Sequence, residues 1–293
     1  MGLKHLVISG GGPTLIHTLG AIQHLSENNI IDINAVESIY ATSAGAVIAI
    51  ILCLKFSWDV IDDYILNRPW HDVFDININV IFDSYSKRGL FSNKTIEKCI
   101  KPLFDAKDVK LDINMSDFYV LTKIDLHFFT FEINEFKLID VSHKTHPSLS
   151  VLQALHMTSA IPIIIAPVCI DGKCYIDGGI ACNYPLLKCI EHTKELDNII
   201  GFKNHYENYG KDVVNEETNI FDFIMNFLFK LVYNLSSSDP TYEIKHEIVC
   251  KTKMMSLTSI RTTLTSHEVR KKLFNDGIES SKQFLQTLTQ SRV

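Results

Sequence analysis

The sequence predicts an α/β fold, three-layer α/β/α, around a mainly parallel central sheet. Three observations predict it. A short apolar strand, Leu3 to Ser9, runs into Gly10-Gly11-Gly12 and then into a pattern of helical spacing through Leu15, Ile16, Leu19, Ile22 and Leu25. A second strand ends at Ile39-Tyr40, turns tightly at Ser43, and leads into the apolar helix Val47 to Leu54. That order of strand, helix, strand, helix implies crossover connections, which parallel sheets require. The third observation is size: 293 residues at 46% hydrophobic content suffice for one large core, or one domain with a small appendage.

Each element follows in order. Gly20 and Ala21 are small on the first helix and allow close packing. Trp58 to Leu66 reads as a helix, broken at Arg68-Pro69-Trp70. Ile76 to Phe82 is apolar with interspersed Asn and fits no single state. Lys87 to Ser92 reads as a turn, with Ser92 or Asn93 as N-cap of a helix through Ile96 to Leu103. Lys87 and Arg88 are either a solvated basic pair or a contact for an anionic head group. Phe118–Thr122, Leu126–Ile133 and Phe136–Val141 read as strands, and Ser150–Met157 as a helix. Ile163 to Ile170 is apolar, and Asp171-Gly172-Lys173 turns the chain back through Cys174-Tyr175-Ile176 to Asp177-Gly178-Gly179. Ile199–Lys203 reads as a strand and His205–Glu217 as an exposed loop. Ile220–Leu235, rich in Phe, is either a helix packed on the core or an apolar lid over a lipid site. Glu268–Leu285 reads as a final surface helix. Residues 1–205 are expected to form the main domain, and 206–293 a mostly helical extension packed on it.

Composition narrows the function. The net charge is −6, the pI is near 6.0, and no basic stripe stands out, so nucleic acid is not expected as a partner. The seven cysteines have no zinc-site spacing and are expected as reduced, mostly buried thiols in a cytoplasmic protein. The N-terminal residues lack the pattern of a secretory signal. The longest apolar run, Ala44 to Leu54, is far short of the ~20 residues that span a bilayer. A soluble protein is expected, touching membranes peripherally.

Two stretches carry chemistry. The first, Ala41-Thr42-Ser43-Ala44-Gly45, has the shape of a nucleophile elbow: strand, sharp turn with serine at its apex, buried helix. The neighbours of such a serine must be small, as Ala44 and Gly45 are. A loop serine capping a helix is the alternative. Gly10-Gly11-Gly12 fits neither a dinucleotide fingerprint, since Leu15 replaces the third glycine, nor a Walker loop. It is either an ordinary tight turn or an anion nest of backbone N–H groups at a helix N-terminus. The second stretch places Asp177 at the end of an apolar strand, before Gly178 and Gly179; it reads as a partly buried carboxylate or as a turn aspartate.

The ordered set resembles the patatin-like phospholipase family. It comprises Gly10-Gly11-Gly12, Ala41-Thr42-Ser43-Ala44-Gly45, Gly89-Leu90-Phe91-Ser92, Ser159-Ala160-Ile161-Pro162, Ala166-Pro167-Val168, Asp177-Gly178-Gly179 and Asn183-Tyr184-Pro185. The resemblance runs from about residue 5 to 205. Three positions depart from the family pattern. Thr14 stands in place of a basic residue, Leu15 in place of a fourth glycine, and Ala41 in place of the first glycine of the elbow.

The resemblance implies a lipid acyl hydrolase with a Ser43–Asp177 dyad acting on a phospholipid or another acyl-ester lipid. Gly10, Gly11, Gly12 and Ala44 are expected at the oxyanion hole, with Gly45, Gly178 and Gly179 as structural glycines of the motifs. No metal or cofactor is implied. A Ser-His-Asp esterase and a non-catalytic lipid-binding or storage protein are the competing readings, although none of the twelve histidines sits in a recognisable triad context.

Overall fold

The computed structural model describes residues 2–75, 78–206, 214–236, 242–252 and 256–290. Strand β1 (His5–Ile8) leads through the glycine turn into α1 (Leu15–Glu27), then β2 (Ser38–Thr42) and α2 (Ala44–Cys53). There follow α3 (Trp58–Asp62), a π-helical turn (Asp63–Asn67), α4 (Trp70–Val73), α5 (Ile78–Lys87) and β3 (Gly89–Phe91). Next come α6 (Asn93–Asp105), α7 (Met115–Thr122), β4 (Asp125–Glu132), β5 (Lys137–Ser142) and α8 (Val151–Ser159). Then β6 (Ile163–Ile165), β7 (Val168–Ile170), β8 (Lys173–Asp177), α9 (Leu186–Thr193) and β9 (Ile199–Tyr206) complete the stretch to residue 206. Beyond it lie α10 (Ile220–Ser236), β10 (His246–Thr252), α11 (Leu257–Thr265) and α12 (His267–Gln290).

The main sheet runs β10-β9-β1-β2-β4-β8-β7, with β5 also on β4. The first five strands are parallel, and the β5, β7 and β8 pairings are antiparallel. Side chains alternate between faces, as strand geometry requires. Leu6, Ile8, Ile39, Ala41 and Phe128 enter the large core with α1 and α2. Val7, Tyr40 and Phe129 enter a smaller core with Leu186 and Cys189 of α9. Helices therefore cover both faces, and the expected three layers are present.

Several expectations are corrected. Phe118–Thr122 is the second half of helix α7, not a strand. Asn114 caps it, its side chain accepting from the Asp117 N–H at 2.8 Å, and Met115, Phe118 and Thr122 are buried at helical spacing. Gly89–Phe91 is not a turn but a short strand, parallel to β6. The run Ile76–Phe82 resolves into α5 from Ile78 onward; residues 76–77 lie outside the described residues. After residue 206 the chain forms α10, α11 and α12, and β10 extends the sheet beside β9.

The last helix lies at the surface along one face and is buried along the other. Arg270, Phe274, Gly277 and Ser281 of α12 are buried, and it packs along α1. A Cβ on Gly277 would lie 1.9 Å from the His17 carbonyl oxygen, so only glycine permits this approach. The thiols are not all reduced: Cys169 and Cys174 form a disulfide, because the β7–β8 register sets them directly opposite. Stretches 207–213 and 237–240 lie outside the described residues, as do the side chains of Phe221, Phe229 and Tyr233. Among the described residues, no helix is long and apolar enough to cross a membrane.

Candidate active site

The site follows from unequal strand lengths. β2 has five residues and β4 has eight. The β2–β4 pairing ends with Thr42 opposite Phe129. Beyond that point β4 pairs with β8 instead, Asp177 opposite Thr130. Because β8 runs antiparallel, its last residue arrives where β2 has just ended. Ser43 and Asp177 are thereby brought together from positions far apart in the chain.

Ser43 sits at the turn with φ 55 and ψ −124, a conformation that costs a non-glycine residue roughly 1–3 kcal/mol. The surrounding structure holds it there. Its N–H donates to Thr158 Oγ1 at 3.0 Å, and the Thr158 hydroxyl donates to the Phe129 carbonyl at 2.5 Å. Thr42 donates its hydroxyl to the Cys182 carbonyl at 2.8 Å. α2 starts so close to β1 that a Cβ on Gly45 would stand 2.7 Å from the Ile8 carbonyl oxygen. The Ala41 departure is accommodated, since Ala41 is fully buried in the core.

Asp177 is 5% exposed, with no cation beside it among the described residues. Burial pushes its carboxyl up to about 6, against the Ser43 hydroxyl and the Gly179 N–H, which favour the charged form. The Gly179 N–H donates to Asp177 Oδ1 at 2.7 Å. Gly178 fits because a Cβ there would meet the Phe129 carbonyl oxygen at 2.1 Å. The arrangement is a hydroxyl on a strained turn beside a carboxylate that can hold or release a proton near neutrality.

The glycine turn lies against this pair. A Cβ on Gly10 would stand 3.0 Å from Ser43 Cβ. The expectation for Gly10 needs correction: its N–H donates to the Asn183 carbonyl at 3.0 Å and is not free for an oxyanion. Gly11, Gly12 and Ala44 have no backbone acceptor among the described residues, the last two being first residues of helical turns. Asn204 and Asn183, which the sequence reading missed as site residues, brace the turn. Asn204 Nδ2 donates to the Gly10 carbonyl and to Thr14 Oγ1, both at 2.8 Å. Asn183 Nδ2 donates to the Gly10 carbonyl at 3.3 Å. Thr14, in the place of a basic residue, donates to the Gly11 carbonyl at 3.0 Å. Thr158 was missed too. Asn204 and Thr158 carry no local signal and reach the site through chain crossings, whereas Asn183 stands in the Asn183-Tyr184-Pro185 motif.

Gly12, Ser43 and Ala44 line a cavity of about 190 Å³ whose wall is almost wholly hydrocarbon, from residues such as Val47, Trp70 and Phe74. The buried histidines are engaged elsewhere. His156 Nε2 meets the Ala166 carbonyl at 2.9 Å, and His17 Nε2 meets Ser280 Oγ at 3.0 Å. Among the described residues, one group could hold a metal ion: His127, Asp140 and His192, with ligand atoms within 4.8 Å of one another. It lies mid-sheet on β4, three residues before the strand position that meets Asp177. His127 there is already held between Asp140 and Asp125.

The description "Patatin-like phospholipase" fits residues 6–190 by family comparison, and the chain belongs to that family. It is 26% identical over 217 residues to "Probable lipid hydrolase 463L" of Invertebrate iridescent virus 6, covering 72% of this chain and 73% of that protein. It is 27% identical over 288 residues to an uncharacterized protein of Acanthamoeba polyphaga mimivirus, covering 96% and 93%. The fold is similar to the crystal structure of VipD from Legionella pneumophila. The TM-score is 0.56 and the identity 18%, over 98% of this chain and 67% of that one. Family membership supports hydrolysis of lipid esters in general.

Proposed function

We propose that the protein is a lipid acyl hydrolase of the phospholipase A type, working through a Ser43–Asp177 dyad without a metal. The observation that carries this reading is a buried carboxylate beside a serine on a strained turn that opens into an apolar cavity. Ser43 Oγ attacks the ester carbonyl of an acyl chain while Asp177 accepts its proton. The C–O bond to the alcohol breaks, and the proton passes to the leaving oxygen. Water, deprotonated by Asp177, then attacks the acyl-enzyme; the bond from Ser43 Oγ to the acyl carbon breaks, the proton on Asp177 passes to Ser43 Oγ, and the fatty acid leaves. The N–H groups of Gly11, Gly12 and Ala44 hold the oxyanion, helped by the positive end of α2.

The apolar wall suits an acyl chain. Exposed Ile81, Phe82 and Tyr85 on α5 and Phe223 and Phe227 on α10 suit contact with a lipid surface. The test is fatty-acid release from phosphatidylcholine vesicles in the presence of a chelator. Ser43→Ala and Asp177→Asn should each fall by at least about 1000-fold. Release that survives in either variant, or that the chelator abolishes in the unsubstituted protein, would sink the dyad reading.

A further inference from the structure

The cavity beside Ser43 has a second unusual group. Arg270, on α12 and beyond the family-matched residues, lines it and is only 4% exposed. Among the described lining residues it is the sole charged side chain. Its Nε donates to the Leu66 carbonyl at 2.8 Å, and its Nη1 to those of Thr263 at 2.9 Å and Leu264 at 3.1 Å. These carbonyls belong to the π-helical turn and the end of α11, so the guanidinium clamps both. That clamp alone does not explain an arginine. Nη2 has no partner among the described residues, and no carboxylate is paired with the charge. Burial lowers the guanidinium pKa from its ordinary value, with no acid to offset it. Three carbonyl dipoles leave a buried cation short of a counter-ion, which is costly.

The placement relates this cation to the reacting end of the site. α11, whose last carbonyls Arg270 holds, packs against the Gly12–Thr14 turn and against α4. Thr14 supplies no charge there, because its hydroxyl braces the turn. The cavity thus has hydrocarbon for an acyl chain and, among its lining residues, one cation with no carboxylate partner.

We propose that Arg270 is a specificity-determining residue that reads a lipid phosphate, so that the cavity selects phosphate-bearing acyl lipids over neutral glycerides. The choice of substrate rests on the Ser43 reading above; the binding of phosphate does not. A charge-assisted pair of guanidinium and phosphate suits the free Nη2 edge.

Two measurements test it. The first needs no turnover. Ser43→Ala protein is titrated with dodecyl phosphate and with dodecanol, both below their micelle concentrations, and followed by the fluorescence of Trp70 in the cavity wall. Dodecyl phosphate should bind at least about tenfold tighter, Arg270→Gln should remove the difference, and Arg270→Lys should keep part of it. Equal affinity of the two probes on the arginine protein overturns the proposal without any Arg270 variant having to fold. Tighter binding of dodecanoate than of dodecyl phosphate also overturns it, pointing to a fatty-acid carboxylate instead.

The second measurement compares hydrolysis of a phosphatidylcholine and a diacylglycerol with the same chains, in neutral detergent. Arg270→Gln should lower the ratio of their kcat/KM values at least about tenfold. Parallel loss on both substrates makes Arg270 a clamp and nothing more. If the unsubstituted protein hydrolyses neither lipid yet prefers dodecyl phosphate, the hydrolase reading fails and the phosphate site stands.

Discussion

Two buried ionisable sites flank strand β4, His127 on the strand itself and Asp177 on β8 opposite Thr130, and they behave in opposite ways. At His127 the charges are paired. Nδ1 meets Asp140 at 2.8 Å, Nε2 lies 3.3 Å from Asp125, and Lys144 and His143 reach Asp125 at 2.7 and 2.9 Å. The ring stacks on Tyr40 with centroids 4.3 Å apart. Burial alone would push His127 down, but the two carboxylates more than offset it and hold it up at about 9. Burial would likewise raise Asp125, yet His127 and Lys144 hold it well below the usual carboxylate range. Three residues further along β4, opposite Thr130, Asp177 of β8 is equally buried and has no cation beside it among the described residues, and it rises to about 6. Pairing fixes the proton. Isolation leaves it free to move in the range where a general base works.

The largest expected effect separates the two sites by activity. Asp177→Asn should lower fatty-acid release by at least about 1000-fold, since the proposed base is gone. His127→Gln should leave turnover per folded molecule within about twofold, but cost about 3–5 kcal/mol of stability in urea unfolding, because two carboxylates lose their buried partner. Loss of turnover in folded His127→Gln would erase the distinction.

The pH dependence sharpens it. His127 is raised above its unfolded value, so its stabilisation is complete below about 6.5 and disappears as pH rises through about 9. The stability gap between His127→Gln and the unsubstituted protein should therefore be widest below 6.5. Asp177 is also raised, so its protonated form favours folding below its ordinary value of 3.8, and that contribution fades as pH rises through about 6. At pH 8 its charge is a burden, and Asp177→Asn should gain up to about 3 kcal/mol there while losing activity. The gain should close below about pH 4. In the unsubstituted protein kcat/KM should climb through about pH 6 as Asp177 ionises. An acid-side limb below 5 would assign the rate to another group.

Legibility in the sequence follows the range of the interactions. The β1–α1–β2–α2 order and the turn at Ser43 were readable because they depend on neighbours: apolar spacing, a glycine turn, small residues at the elbow. α7 was misread because Phe118, Tyr119 and Val120 favour strands locally, whereas the Asn114 cap and the packing of Phe118 on Phe104 decide for helix. The partnership of Asp177 with Ser43 depends on β8 filling the place left by the shorter β2, which no local pattern records. Asn204, Thr158 and Arg270 likewise reach the site across the fold. The role of Asp177 beside Ser43 is legible in the sequence only through the family resemblance.

The smallest expected effect concerns what holds Asp177 in place. It ends β8, whose hairpin with β7 carries the Cys169–Cys174 disulfide. The turn between these strands, Asp171 at φ 51 and Gly172 at φ 76, has both central residues in the left-handed region, the geometry that sets a two-residue hairpin. Register is thus fixed by the turn and by the pairing of β8 with β4, before any covalent link. A bond closing so short a loop removes little unfolded-state entropy, so reduction or a Cys169→Ser, Cys174→Ser pair should cost no more than about 2 kcal/mol. Fatty-acid release should change by less than about threefold, because the Asp177 backbone N–H stays bonded to the Ala160 carbonyl at 3.0 Å. A larger loss on reduction would mean that the disulfide, rather than the β4 pairing, positions Asp177.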